Sequence, residues 1–253
     1  MSDPSNCGVL VLGDSHAKSF FQQGHVPEIP GQNISIYGAA INAASVTGFG
    51  RMRSSLNLNT RVREQIEQHR DMCQHVVFAL GQVDVELGLY YRWVVKDEMV
   101  DPEVLFAEII DLYINNINDM CGGLQPTIKG INQTVLKKQS HARYYASRII
   151  IEKDHYLKQI APLKARLRAV YPSYDVRLTI SNMFNEILAR AAQKADIPYF
   201  DINDSIVDKE TGEVADAFCP NFSDHHIVNS VETHKLHIKH LKAAISSRSG
   251  PHD

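Results

Sequence analysis

Short, almost wholly apolar runs that stop at a glycine recur along this chain. Val9-Leu10-Val11-Leu12 stops at Gly13, Ile34-Ser35-Ile36-Tyr37 at Gly38, and Val76-Val77-Phe78-Ala79-Leu80 at Gly81. A strand that is apolar at nearly every position is buried on both faces, which occurs where helices cover both sides of a parallel sheet. Thr127-Ile128-Lys129-Gly130-Ile131 and Ile197-Pro198-Tyr199-Phe200-Asp201-Ile202 read as a fourth and fifth strand. Between them, residues 57–71, 104–120, 154–170, 178–195 and 230–246 read as helices. In 104–120 the apolar positions Val104, Leu105, Ile109, Leu112 and Ile117 keep helical spacing. Strands alternating with helices predict a three-layer α/β/α architecture around a five-stranded parallel sheet. The chain reads as a single domain, 1–253, with a polar, basic and less regular insertion or lid segment at 132–176.

In such sheets the reactive loops lie at the carboxyl ends of the strands. Gly13-Asp14-Ser15-His16, Gly38 and Gly81 all belong to that rim, and the segment Asp224-His225-His226 after strand five reaches it too. A serine in a tight strand-to-helix turn is lifted out of the sheet edge, where backbone N–H groups surround whatever it attacks. Its hydroxyl is a weak nucleophile and needs a base, a group to orient that base, and donors for the oxyanion. Ser15 is the candidate nucleophile, His226 or His225 the base, and Asp224 the orienting carboxylate. In an extended segment His226 lies on the same side as Asp224 and His225 points the other way, which favours His226.

Together these residues resemble the SGNH (GDSL-type) hydrolase and acyltransferase superfamily, in its GDSH-containing branch. Gly13-Asp14-Ser15-His16 matches the first block, and Gly38 matches the second in type. The third block, usually Gly-x-Asn-Asp, reads Gly81-Gln82-Val83-Asp84 here; the fifth, usually Asp-x-x-His, reads Asp224-His225-His226. The resemblance implies a flavodoxin-like, SGNH-hydrolase fold and a serine-dependent ester hydrolase or acyltransferase, with O-acyl groups of a carbohydrate as one substrate class. It implies an oxyanion hole from the N–H groups of Ser15 and Gly38 and, in the family, from the third-block asparagine. Val83 has no side-chain donor, so Gln82 or Asn42 is the candidate replacement. Asp84 is expected to tie loops together. The rival reading is a non-catalytic glycan- or ligand-binding module with a degenerate site of the same kind.

Composition narrows the alternatives. The 253 residues carry 26 Lys and Arg against 29 Asp and Glu, a net charge of −3, so no nucleic-acid or anionic-membrane partner is implied. No apolar run approaches membrane-spanning length, and the first six residues carry no basic segment, so a cytoplasmic location without a signal peptide is expected. The first loop lacks a glycine-rich phosphate cradle, which counts against a nucleotide binder. The expected partner is a small-molecule or carbohydrate ester; no cofactor and no metal are expected, and the residues leave the oligomeric state open. The four scattered cysteines read as thiols rather than disulfides or ligands. His234, His237 and His240 recur every third residue and read as a solvated helix face. Arg51, Arg53, Arg61 and Arg63 read as surface or as an anion-binding wall, as do Lys137, Lys138, His141, Arg143 and Arg148. Tyr90, Tyr91 and Trp93 read as packing or as a sugar-stacking surface.

Overall fold

The computed structural model describes residues 7–21, 34–51, 56–153, 157–221 and 224–247. Five strands form one sheet: β1 (Cys7–Gly13), β2 (Ile34–Ala40), β3 (His75–Ala79), β4 (Gln125–Lys129) and β5 (Tyr199–Phe200). All pairings are parallel, and the order is β2-β1-β3-β4-β5. The order reverses between β1 and β3, so the crevice where this class of sheet binds ligands opens beside the turn that carries Ser15.

The near-continuous apolar runs are divided between two layers. Alternate strand residues point to opposite faces. Leu10, Leu12, Val76 and Phe78 enter one core, where α4 (Pro102–Met120) and α7 (Tyr174–Lys194) bring Phe106, Ile110, Phe184 and Leu188. Val9, Val11, Val77 and Ala79 enter the other, against Ile238 and Leu241 of α9 (Val231–Ser246) and Phe20 of the 3₁₀ helix Ser15–Phe20. Each large apolar side chain fully buried this way stabilises the fold by about 1.5–3 kcal/mol. A third, smaller core joins Val135, Ile202, Ile206, Val214, Phe218 and Ile227. It anchors the chain between β5 and α9, and Ile227 is the residue next to His226.

Several local elements are now defined. The segment after Asp14 is a 3₁₀ helix, because Asp14 accepts the His16 N–H on its side chain and the chain turns out again at Phe21. The polar helix is α2 (Leu58–His69), following the single turn α1 (Val46–Phe49). Residues 84–96 are a helical run whose outer parts, Asp84–Gly88 and Arg92–Lys96, are π-helical around α3 (Leu89–Tyr91). The tract 132–176 holds α5 (Gln139–Ser147) and α6 (Leu157–Val170). α8 (Asn203–Ile206) follows β5. Among the described residues no helix is long and apolar enough to cross a membrane.

The histidines of α9 do not form a solvated face. His237 is 0% exposed and His234 9%. His237 Nδ1 meets Thr233 O at 2.8 Å, its ring packs on Phe20 at 4.7 Å, and its Nε2 has no partner among the described residues. Burial, then the Lys129 charge from β4 and the neighbouring His234 and His240, hold it well below its ordinary value of 6.5, and the Thr233 carbonyl only partly opposes them. The folded state therefore keeps His237 neutral where the unfolded chain protonates. Its stabilising contribution is fully present above pH 6.5 and is lost as pH falls below it, at about 1.4 kcal/mol per pH unit. Urea unfolding between pH 7.5 and 5.5 should show this loss, and His237→Leu should make it shallower, with the remainder carried by His16, which burial also holds well below 6.5. An equally steep loss in the variant would assign the effect elsewhere.

Candidate active site

The turn after β1 is built by the residues around Ser15. The Asp14 N–H donates to Ala79 O at 3.1 Å and ties the turn to the end of β3. Asp14 itself is buried, and burial pushes its carboxyl up to about 7. Ser15, half-buried, stands free of this scaffold. Its Oγ lies 2.7 Å from His226 Nε2, and His226 Nδ1 lies 2.6 Å from Asp224 Oδ1. An ionised carboxylate only accepts, so the Nδ1 proton faces Asp224 and the Nε2 lone pair faces the serine hydroxyl. Burial, then the neighbouring His225, hold His226 below the usual imidazole value, so it is a neutral base at pH 7. Burial works to raise the Asp224 carboxyl, but the hydrogen bonds and charge of His226 outweigh it and the net shift is downward. Ser15, Asp224 and His226 line one cavity of about 390 Å³ with His16, Lys18 and Pro220. Phe222 and Ser223, which precede Asp224, lie outside the described residues.

His225 is held by residues other than the serine. Its Nδ1 meets Glu86 Oε2 at 2.6 Å, and its ring stacks on Tyr145 at 4.5 Å. Glu86 and Tyr145 escaped the sequence reading. Glu86 sits four residues beyond Gln82 on the helical run, a spacing that hints at contact, whereas nothing local signals that Tyr145 of α5 reaches a residue 80 positions away.

Two oxyanion candidates, Gly38 and Gln82, are placed differently from expectation. Gly38 lies inside β2 rather than past its end, in register with Val11. At roughly 3.3 Å per residue it sits on the order of 10 Å below the Ser15 rim. Its φ of +108° and the Val11 carbonyl against which a Cβ would fall explain the glycine instead. Gln82 is 2% exposed rather than a surface residue or a free donor. Its amide donates to Glu86 Oε1 at 2.9 Å and Asn132 O at 3.0 Å and accepts from Asn132 N at 2.9 Å, which uses both of its N–H groups. Gly81, at φ +128°, lets the chain pass Phe184, whose ring would stand 2.6 Å from a Cβ. Asn42, in contrast, is exposed in the turn after β2, and Ile41 N–H donates to Gly13 O at 2.8 Å, binding that turn to the one carrying Ser15.

Asp84 ties loops together. Its carboxylate accepts from Val46 N at 2.6 Å, Thr47 N at 3.1 Å and Thr47 Oγ1 at 2.7 Å, holding the start of α1. Arg51 and Tyr91 line a second cavity of about 420 Å³ beside Val83 and Asp84, while Arg61 and Arg63 are exposed on α2. Arg53 lies outside the described residues. Tyr90 and Trp93 are core residues. In the basic tract Lys137 pairs with Asp216 at 2.9 Å and Glu213 at 3.3 Å, and Arg148 covers the Tyr145 ring.

No protein-family model matches the sequence. No curated protein matches it either. Solved structures do. A variant of an acetyl-xylooligosaccharide esterase from Geobacillus superposes with a TM-score of 0.55 at 11% identity, over 97% of this chain and 96% of that one. A GDSL-like lipase from Bacteroides thetaiotaomicron gives 0.52 at 12% identity over 95% and 88%, and a putative SGNH hydrolase from Slackia heliotrinireducens gives 0.51 at 12% over 95% and 99%. The strand order, the parallel sheet between two helical layers and these superpositions agree: the chain has the three-layer fold of the SGNH/GDSL hydrolase superfamily.

Proposed function

We propose that this protein is a serine-dependent ester hydrolase or acyltransferase, acting on O-acyl groups of a carbohydrate. The observation that carries the proposal is the continuous contact from Ser15 Oγ to His226 Nε2 (2.7 Å) and from His226 Nδ1 to Asp224 Oδ1 (2.6 Å). In this reading Ser15 Oγ attacks the ester carbonyl while His226 Nε2 takes its proton. Asp224 holds the imidazole tautomer and stabilises the imidazolium. The tetrahedral oxyanion is met by the Ser15 backbone N–H and by the turn carrying Asn42. His226 then returns the proton to the departing alcohol, leaving an acyl-serine. Water, or an acceptor hydroxyl in the transferase version, attacks that acyl group with His226 again as base.

Tyr145, stacked on His225, supports reading 132–176 as an insertion that walls the site within one domain. The carbohydrate part rests on the fold shared with the Geobacillus esterase.

The wild-type chain is expected to turn over a short-chain p-nitrophenyl ester and acetylated xylo-oligosaccharides, and to be labelled stoichiometrically by a serine-directed phosphonate. Adding sugar alcohols and following acyl products separates transfer from hydrolysis. The commitment of Gln82 to Asn132 and Glu86 favours one competitor, a binding module without turnover. Tight glycan binding with no labelling would establish that reading instead.

A further inference from the structure

Three imidazoles converge beside Ser15, and ester chemistry uses only one. His16 is 6% exposed, and among the described residues neither its Nδ1 nor its Nε2 has a hydrogen-bond partner. Buried polar atoms in folded proteins nearly always have partners, so a fully orphaned ring beside other ligating groups points to a bound species. Its centroid lies 4.3 Å from that of His226 and 4.5 Å from that of His225, and those two lie 4.2 Å apart. One nitrogen from each ring falls within 4.8 Å of the others. Two carboxylates stand behind the cluster: Glu86 holds His225 Nδ1 and Asp224 holds His226 Nδ1, each at 2.6 Å. Carboxylate–histidine pairs of this kind orient the opposite ring nitrogen toward a metal and raise its basicity.

We propose that His16, His225 and His226 form a binding site for a divalent transition metal of the zinc class. Imidazole suits Zn²⁺, Co²⁺, Ni²⁺ and Cu²⁺ and disfavours Mg²⁺ and Ca²⁺. Metal–nitrogen bonds of about 2.0–2.1 Å in a tetrahedral site set the nitrogens about 3.4 Å apart, so from within 4.8 Å the rings close in by up to about 1.4 Å on binding. The carboxylates leave Nε2 of His225 and Nε2 of His226 for the metal, and His226 Nε2 is the atom that Ser15 engages. Metal therefore occupies the lone pair that accepts the serine proton, and occupancy and serine reactivity exclude each other. This consequence, a reversible metal block, rests on the serine chemistry proposed above; the site itself does not.

The test strips the full chain with a chelator, exchanges the chelator away, and titrates Zn²⁺ by calorimetry and Co²⁺ by visible absorption. One equivalent should bind with micromolar or tighter affinity. His16→Gln and His225→Gln should each weaken it at least tenfold, while His141→Gln, on the exposed face of α5, should leave it unchanged. Should either variant melt early, histidine-ring NMR of the wild type decides: Zn²⁺ shifts the rings of His16, His225 and His226 and not that of His141. Phosphonate labelling of the same samples should slow at least tenfold with Zn²⁺ and recover with chelator. Absence of stoichiometric binding, affinity unmoved by both variants, or ring shifts confined to other histidines overturns the site. Labelling that persists unchanged with the site filled overturns the block. A metal-free chain that never labels overturns the ester reading, and the titration still judges the site.

Discussion

Ser15→Ala should lower ester turnover by on the order of 10⁴-fold or more and abolish phosphonate labelling, with KM changed little. Removing Oγ deletes the nucleophile and leaves the surrounding turn intact. Asp14 still accepts the His16 N–H and still ties to Ala79, and the 3₁₀ helix keeps its buried Ala17 and Phe20. The melting temperature should accordingly stay close to wild type, because a half-exposed hydroxyl with one partner contributes within about 0.5 kcal/mol. Residual turnover reflects the oxyanion donors and substrate binding. Steady-state kinetics with a p-nitrophenyl ester, alongside a thermal melt, measures both quantities. Turnover within tenfold of wild type would remove Ser15 from the chemistry.

His226→Ala should produce a loss of similar size, on the order of 10⁴-fold, because His226 Nε2 is the acceptor that Ser15 Oγ meets. Asp224→Asn should cost less, on the order of 10²-fold. The Asp224 side chain is 50% exposed, and water takes up part of its role in orienting and stabilising the imidazole. The double variant should fall little below His226→Ala alone, since the carboxylate acts through the imidazole and groups that act as a unit are not additive. Single-turnover acylation rates across the four proteins measure this. Additive losses would mean that Asp224 and His226 act separately, and the 2.6 Å contact would then be structural rather than mechanistic.

The parts of this site that local sequence carried are those fixed by short-range rules. The glycine-terminated apolar runs required two buried faces, and the strand-to-turn boundary at Gly13 put Ser15 at a carboxyl-end rim. Spacing alone aligned Asp224 with His226. The donors were not legible in the same way. Gly38 reads as a loop glycine until the register shows β2 continuing to Ala40. Gln82 reads as polar surface until Asn132, fifty residues on, and Glu86 together take its whole amide. The α9 histidines read as solvated because three-residue spacing describes a face and not what covers it. That cover comes from Phe20, Ser19 and Ser205, in other elements of the chain.

Local sequence was enough for the layered parallel sheet, for the position of the Gly13-Asp14-Ser15-His16 turn at the edge of that sheet, and for the pairing of Asp224 with the histidine two residues on. These follow from strand periodicity, turn chemistry and near-neighbour geometry, interactions that span a few residues. Long-range packing brings His226 to Ser15, gives His225 to Glu86, and sets His16 against both rings. Each of those contacts joins segments that lie 139 to 211 residues apart, and no local period encodes them; they exist because the sheet's switch point and the small core around Ile227 bring those segments to one rim.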